Sequence, residues 1–263
     1  QTCVAEMYEV PGIIRDLRDS LRRVRDLLRI LGRLQNRMQN PREVGGIRDT
    51  LEQLPEIARL LQDCGGAETV KLAQRFHTFG SLTDLLRLAI ADELPTHVRD
   101  GGYIRTGYDT DLDHLRNLGG ESKTWLANLQ AQEQERTGIK NLKIKYNGAF
   151  GYFIEVSKAN LHLVPEEYIR KQTLTNAERF YTEDLKVKEK EILNAEERAI
   201  AREAELFSGI VEGVLRESPA LVATAEVLAE IDLFAAWSHL AREWGYCRPV
   251  VDDTDQLHIE QGP

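Results

Sequence analysis

Cysteine, aromatic residues and long apolar runs are all scarce in this sequence of 263 residues. The three cysteines, Cys3, Cys64 and Cys247, lie far apart and form no CxxC pair, which is typical of a protein kept in a reducing compartment. No apolar stretch approaches the roughly 20 residues that a membrane span needs. The first ten residues, QTCVAEMYEV, lack the basic start and apolar core of a signal peptide. We therefore expect a cytoplasmic protein without membrane contact.

Motifs of catalysis are missing as well. The sequence contains no GxxxxGK[ST], the loop that cradles the phosphates of a bound nucleotide. The six histidines stand at no spacing that is typical of a metal site or a catalytic triad. For this chain alone we expect no enzyme activity, no cofactor and no metal.

The abundant residues predict a mainly helical protein. Hydrophobic residues make up 42% and charged residues 29%, with much Leu, Ala, Glu and Arg. Apolar residues recur at steps of three and four over residues 11–38, which predicts one long helix with a helix-pairing seam. Two more long helices are predicted near 109–137 and 182–216, roughly 40 and 50 Å in length at 1.5 Å per residue. The end, 247–263, resembles a strand-forming tail.

A different pattern separates the last two long helices. The segment NLKIKYN alternates apolar and basic residues, NGAFG contains an Asn-Gly turn signal, and YFIEV is rich in strand-forming residues. Residues 141–156 are therefore predicted to form a β-hairpin, and YIRKQTL is a candidate for a further strand. The fold class that follows is mainly α, with a small antiparallel β-rich insertion between two long helices.

The insertion is basic although the chain is acidic. Residues 138–180 contain seven Lys or Arg and four Glu, a net charge of +3, which leaves −12 for the remainder of a chain whose net charge is −9. A basic tip on an acidic body suits contact with a phosphate backbone. Lysines that guard a solvated sheet edge against aggregation would give the same composition. Composition alone leaves both interpretations open.

A resemblance favours the first interpretation. The run GIKNLKIKYNGAFGYFIEVSKANLHLVPEEYIRKQTLTNAERFYTEDLKVKEKEILNAEER resembles the clamp region of bacterial MutS proteins, the mismatch-recognition ATPases of DNA repair. VRDLLRILGRLQNRMQNPREVGGIRDTLEQLPEI and LAEIDLFAAWSHLA are similar to the core, or lever, of that family. The resemblance covers nearly the whole chain. It implies lever helices over 1–137, a clamp over 138–181 and returning lever and core helices over 182–263.

The resemblance also implies a function and partners. The clamp would grip double-stranded DNA through its backbone, and the lever would couple that grip to an ATPase domain expected just after LHIEQGP. In the full-length family protein ATP and Mg would be bound, a second MutS subunit would close around the DNA, and a MutL-type protein would be a further partner. The expected location is the cytoplasm, at the nucleoid.

The DNA-contacting residues carried over from the family lie at hairpin tips. The matching positions are Asn147 in the first tip, and Thr175 and Asn176 in the second. The remaining candidates from the insertion are Lys145, Lys158, Arg170, Lys171, Gln172, Thr173 and Arg179. Position 175 is often Lys in the family, so Thr there predicts a weaker phosphate contact.

Three alternatives remain at this stage. Thr175-x-x-Glu178 could be a helix capping box, although the resemblance favours a turn at 175–176 and a helix from about residue 182. Arg179 could hold the tip through a salt bridge and leave the DNA untouched. Phe153-Ile154-Glu155 matches the Phe-x-Glu mismatch wedge of the family by letter, but its place in an alternating strand predicts sheet packing.

The rival function is a structural helical scaffold. In that interpretation the apolar seam between residues 14 and 38 forms an oligomer, and the basic insertion binds nothing. A scaffold would self-associate and ignore DNA, whereas a clamp would bind duplex DNA and lose that binding with the insertion.

Overall fold

The computed structural model describes residues 1–251 and Asp253. The fold is mainly α with a small antiparallel sheet, as the sequence predicts. The helices are α1 (Thr2–Tyr8), α2 (Pro11–Leu21), α3 (Leu27–Gln35), α4 (Pro41–Asp63), α5 (Ala67–Gln74), α6 (Gly80–Ala89), α7 (Thr110–Thr137), α8 (Glu183–Arg216) and α9 (Ser218–Trp244). The strands are β1 (Lys143–Asn147), β2 (Gly151–Ser157), β3 (Ile169–Thr173) and β4 (Ala177–Tyr181), with short 3-10 helices at Val98–Asp100 and Lys158–Leu163.

Two features concern the limits of the described chain. No helix within it is long and apolar enough to cross a membrane. Of the tail predicted to form a strand, residues 247–251 have no regular structure. Most of the remaining tail lies outside the described residues.

The chain divides into two compact units. One comprises Gln1–Arg87 and the chain from Val211 onward, and the other comprises Leu88–Ile210. All four strands belong to the second unit and lie between α7 and α8. The predicted boundaries at residues 137 and 181 separate the lever from the clamp by function. The two compact units do not test these boundaries, so they stay a prediction.

In the first unit, the prediction of a single helix over residues 11–38 is wrong. The chain forms α2 and α3 with a break between them. The Asp26 side chain caps α3 by accepting a hydrogen bond from the Arg29 amide at 3.0 Å, and the Arg25 amide donates to Thr50 Oγ1 on α4 at 2.9 Å. The break preserves the apolar spacing, because Leu17 and Leu31 are both buried. Periodicity therefore identified the inward face but could not show where the helix stops.

The sheet of the second unit has the strand order β1-β2-β4-β3, and every neighbouring pair is antiparallel. The predicted hairpin over 141–156 is confirmed as β1 and β2, and the further predicted strand is β3. The turn at 175–176 is also present, and α8 begins at Glu183. The sequence did not predict β4, which occupies the centre of the sheet. We call residues 148–150 the first turn and residues 174–176 the second turn.

One face of the sheet is buried against the helices. Ile154 and Val156 of β2 and Phe180 of β4 pack with Leu185, the third residue of α8. Partly buried side chains of α7 complete the cluster: Trp125, Leu126 and Leu129. Apolar side chains at every second position of β2 therefore fix this face inward, as an amphipathic strand requires.

A buried carboxylate organises the loop that precedes α7. Glu203 of α8, only 4% exposed, accepts hydrogen bonds from the amides of Gly102 at 3.0 Å and Ile104 at 2.9 Å. It also pairs with the Arg116 guanidinium of α7 at 2.8 Å. A buried charge with an ion partner and two amide donors is fully satisfied, so Glu203 joins α7, α8 and the loop.

Candidate nucleic-acid interface

The sheet face opposite the core cluster carries a chain of polar contacts. Glu155 lies at its centre, 2.7 Å from Lys145 Nζ and 3.4 Å from Arg179 Nε. Arg179 Nη1 also donates to Gln172 Oε1 at 2.7 Å, and its guanidinium lies 4.2 Å from the Phe153 ring centroid. The hydrogen bond from Lys145, helped by Arg179, lowers the pKa of the Glu155 carboxyl below its ordinary range. Two predicted site residues, Lys145 and Arg179, are thus joined through Glu155, and a third, Gln172, is joined to them through Arg179.

The edge strand β3 presents two more of the predicted cations. Arg170 Nε lies 2.8 Å from Glu178 Oε2, and the arginine side chain is still 64% exposed. Lys171 Nζ lies 5.5 Å from the Tyr181 ring centroid and is otherwise exposed. Both side chains keep solvent access on an edge strand that pairs with β4 on one side and with no strand of the described sheet on the other.

The two turns lie at opposite ends of the sheet. Asn147 pairs with Gly151 at the first turn, whereas Ser157 pairs with Ala177 beside the second turn. The whole of β2 separates the two ends, about 20 Å at 3.3–3.4 Å per residue. The structure therefore does not bring Asn147 together with the predicted residues of the second turn.

Three chain segments meet at the end that carries the second turn. The Lys158 amide donates to the Asn176 carbonyl at 3.1 Å. Asn141 Nδ2 donates to Ser157 Oγ at 3.1 Å, and Asn160 Nδ2 donates to Asn141 Oδ1 at 2.7 Å. These bonds join the α7–β1 connection, the start of the 3-10 helix and the second turn. We call this region, residues 138–143, 157–160 and 173–177, the three-loop end.

The three-loop end is basic and contains no Asp or Glu. Lys140, Lys143 and Lys158 are exposed, and within the described chain none of them has an ion pair. Glu155 faces Lys143 across the strands but bonds instead to Lys145 and Arg179. The exposed hydroxyl and amide groups of the second turn region add neutral donors: Thr173, Thr175 and Asn176. Ammonium groups beside neutral donors form a surface that suits phosphate oxygens.

The end that carries the first turn is built differently. Asn147 Oδ1 accepts from the Ala149 amide at 2.9 Å, and the Asn147 carbonyl accepts from the Phe150 amide at 3.0 Å. Glu189 of α8 accepts from the Tyr152 amide at 2.9 Å. This end therefore has an acidic side chain bonded next to the turn. Beside the three-loop end, Glu178 lies opposite Thr173 but is buried and paired with Arg170.

Sequence reasoning missed part of the three-loop end. The sequence marks Lys140 and Lys143 only as part of the positive charge of the insertion, and it gives no signal for Asn141 or Asn160. The register of β1 with β2 places Asn141 and Lys143 near Ser157 and Lys158. The second turn joins them through the pairing of β2 with β4, a strand that no local pattern predicts. Within the described residues no group of His, Cys, Asp and Glu could hold a metal ion.

The fold and this surface define a class of protein: a mainly helical chain in which two long helices carry a small basic sheet. Residues 107–198 match the family model described as MutS family domain IV. The DNA mismatch repair protein MutS of Symbiobacterium thermophilum is 40% identical, covering 98% of this chain and 29% of its own length. The MutS of Methanosarcina mazei is 40% identical with the same coverage. That of Geobacillus kaustophilus is 42% identical over 94% of this chain and 28% of its own.

The chain belongs to the MutS family. It spans less than a third of the length of the curated relatives that it matches.

Proposed function

We propose that this chain is a DNA-gripping part of a mismatch repair protein, and that its four-stranded sheet holds duplex DNA by the phosphate backbone. The observation that carries the proposal is the three-loop end, where three lysines that have no ion pair among the described residues meet neutral donors. Anions are attracted there and repelled by the acidic remainder of the chain. The names of the relatives, DNA mismatch repair proteins, support the same role.

The proposed contacts fall into two groups. Lys140, Lys143 and Lys158 supply charge at the three-loop end, and Thr173, Thr175 and Asn176 supply neutral donors beside them. Asn147 supplies a separate contact at the first turn. The exposed Arg170 and Lys171 extend the basic surface along β3. Lys145 and Arg179 bond to Glu155, and Gln172 bonds to Arg179, so these three hold the sheet face and are secondary as DNA contacts.

The chemistry predicts a grip without sequence preference. Ammonium, hydroxyl and amide donors bind phosphate oxygens, which are the same at every base pair. The two ends of the sheet, about 20 Å apart, could reach phosphates about six base pairs apart at 3.4 Å per step. A mismatch should therefore not change the affinity of this chain for a duplex.

The wider role follows from the family. We propose that α7 and α8 act as the lever that couples the DNA grip to an ATPase domain in a full-length protein. A second MutS subunit, a MutL-type partner, and the use of ATP and Mg belong to that same proposal.

The scaffold alternative is less well supported. The seam that would form the oligomer includes Ile14, Leu17 and Leu31, and all three are buried within the first unit. A seam that already packs against α4 and α9 is not available to a second chain. Leu28 on α3 and Met38 in the connection after α3 are half exposed, and two such residues do not make a continuous apolar stripe.

Duplex binding by fluorescence anisotropy over a salt series tests the proposal. The wild-type chain should bind a labelled 30-base-pair duplex at low salt, with log–log slope about −0.9 per phosphate neutralised, so about −2 to −4 for two to four contacts. Replacing Lys140, Lys143 and Lys158 together by alanine should remove most of the binding and flatten the slope.

A matched variant controls for net charge. Lys123, Lys190 and Arg198 are exposed on α7 and α8, away from the three-loop end, and their replacement by alanine removes the same three charges. This control should bind DNA almost as well as the wild type. Equal losses in the two variants would mean that overall charge attracts the duplex, and no binding by the wild type would reject the proposed grip.

A further inference from the structure

The outer end of β2 needs a hydrogen-bond partner that the sheet does not provide. The register of β2 with β4 begins at Ile154 opposite Phe180, so the Tyr152 amide lies beyond the end of that ladder. Glu189 of α8 fills the place of the missing strand, because its Oε1 accepts from the Tyr152 amide at 2.9 Å. A backbone amide left without an acceptor would be costly, and the carboxylate also strengthens the bond by its charge.

The neighbouring glycine leaves room for that carboxylate. Gly151 has a φ of +69°, a left-handed conformation that side chains rarely adopt. A Cβ placed on Gly151 would overlap Glu189 Oε1, so the carboxylate occupies the space of a side chain. The backbone of the first turn and Glu189 therefore fit each other closely.

The bond fixes a turn whose exposed group is an amide donor. The Asn147 side-chain oxygen and its carbonyl both accept bonds from inside the turn. Its Nδ2 group has no partner within the described residues and is the donor left for a ligand. The direction of this donor depends on the turn, and the turn is attached to α8 through Glu189.

We propose that Glu189 is a positioning residue: it holds the first turn so that Asn147 Nδ2 is presented to a DNA phosphate. This inference rests on the proposed function. Glu189 itself repels phosphate, so its benefit to DNA binding would come through geometry alone. The sign of its effect on affinity therefore distinguishes positioning from simple electrostatics.

The test compares Glu189→Ala, which removes the acceptor, with Glu189→Gln, which removes the charge but keeps an acceptor oxygen. Amide hydrogen exchange of Tyr152 by NMR reports the bond directly, without DNA. Glu189→Ala should raise the Tyr152 exchange rate at least tenfold, and Glu189→Gln should restore most of the protection. The matched control is Glu196→Ala, because Glu196 is a carboxylate two turns further along α8 and makes no bond to β2 among the described contacts.

Duplex affinity then tests the positioning. Asn147→Ala and Glu189→Ala should each weaken binding about fivefold, the loss expected for one hydrogen bond. The double variant should be no weaker than either single variant, because both remove the same contact. Glu189→Gln should bind like the wild type or slightly more tightly.

Several results would overturn the inference. Unchanged Tyr152 exchange in Glu189→Ala means that the bond does not hold the turn. Tighter DNA binding by Glu189→Ala, Glu189→Gln and Glu196→Ala alike means that Glu189 acts only as a repelling charge. Losses that add in the double variant mean that Glu189 does not act through Asn147. If the wild type binds no duplex, the proposed function fails and the positioning role fails with it, whereas the exchange data still decide whether the bond exists.

Discussion

The two ends of the four-stranded sheet differ in charge and in what supports them. The three-loop end consists of connections that bond to one another, and its three lysines have no carboxylate partner in the described chain. The first-turn end is supported by α8, and that support is the carboxylate of Glu189. The net charge of +3 in the insertion comes from the three lysines of the three-loop end, because its other four cations are balanced by four glutamates. Under the proposed function, attraction of DNA and rigid presentation of a donor are therefore divided between the two ends.

The substitution with the largest expected effect should destabilise both ends of the sheet together. Ile154 is fully buried in the cluster that joins the sheet to α7 and α8. Ile154→Ala should lower the free energy of unfolding by about 2–4 kcal/mol, since the sheet cannot close around the cavity. Urea unfolding measures this loss, and amide exchange should rise at both turns. Leu163→Ala, at a position that is 42% exposed, should cost less than about 0.5 kcal/mol. Exchange that rises at one turn only would show that the ends do not share this core.

The substitution with the next largest expected effect should destabilise the first-turn end alone. Gly151→Ala places a side chain at a φ of +69° and displaces the Glu189 carboxylate. We expect a loss of about 1–2 kcal/mol from the backbone conformation, and rapid exchange of the Tyr152 amide. Gly148→Ala is the control, because a Cβ there meets nothing within 4 Å. Unchanged protection at the three-loop end would support independent ends, and an equal rise there would contradict it.

The elements that the sequence predicts are those stabilised by interactions between residues close together along the chain. The helices α7 and α8 and the hairpin of β1 and β2 depend on local periodicity and turn residues, and they are found as expected. The strand β4, with the sequence AERFY, has a short and charged pattern whose stability comes from pairing on both sides. No local signal could identify it. The break between α2 and α3 likewise depends on Thr50, far along the chain.

The candidate site shows the same limit. Composition indicated a basic insertion, and the resemblance pointed to the turns. Neither could sort the cations into those with partners, such as Arg179, and those without, such as Lys158, because partners are set by strand register. Glu189 lies in a charged helical run that contains several glutamates, and the sequence pattern does not distinguish one from another. Its selection depends on the tertiary contact with Tyr152 alone.

Adding one positive charge at either end of the sheet should measure the electrostatic difference between the two ends. Thr175→Lys adds a cation at the second turn, where the surroundings are already basic, and should tighten duplex binding by about 1 kcal/mol, roughly fivefold. The salt slope should steepen by about 0.9. Ala149→Lys makes the same addition at the first turn, near Glu189, and should gain clearly less. Anisotropy titrations at two salt concentrations compare the two variants. Equal gains would mean that the ends do not differ electrostatically toward DNA.

The smallest effect concerns the network that lies between the ends. The pKa of Glu155 is lowered mainly by its hydrogen bond from Lys145, so the ionised form is favoured in the folded state. A carboxyl with a depressed folded pKa adds stability above its unfolded pKa, about 4.3 for Glu, and loses it as the pH falls through the lower folded value. The stability advantage of wild type over Glu155→Gln should thus be present at pH 7 and shrink below about pH 4. Urea unfolding of both proteins at pH 7 and pH 3 measures it, with Glu166→Gln at an exposed position as the control. An advantage that stays constant with pH would mean that the contacts of Glu155 do not depend on its charge, and that the face between the two ends is held by packing of Arg179 on Phe153 instead.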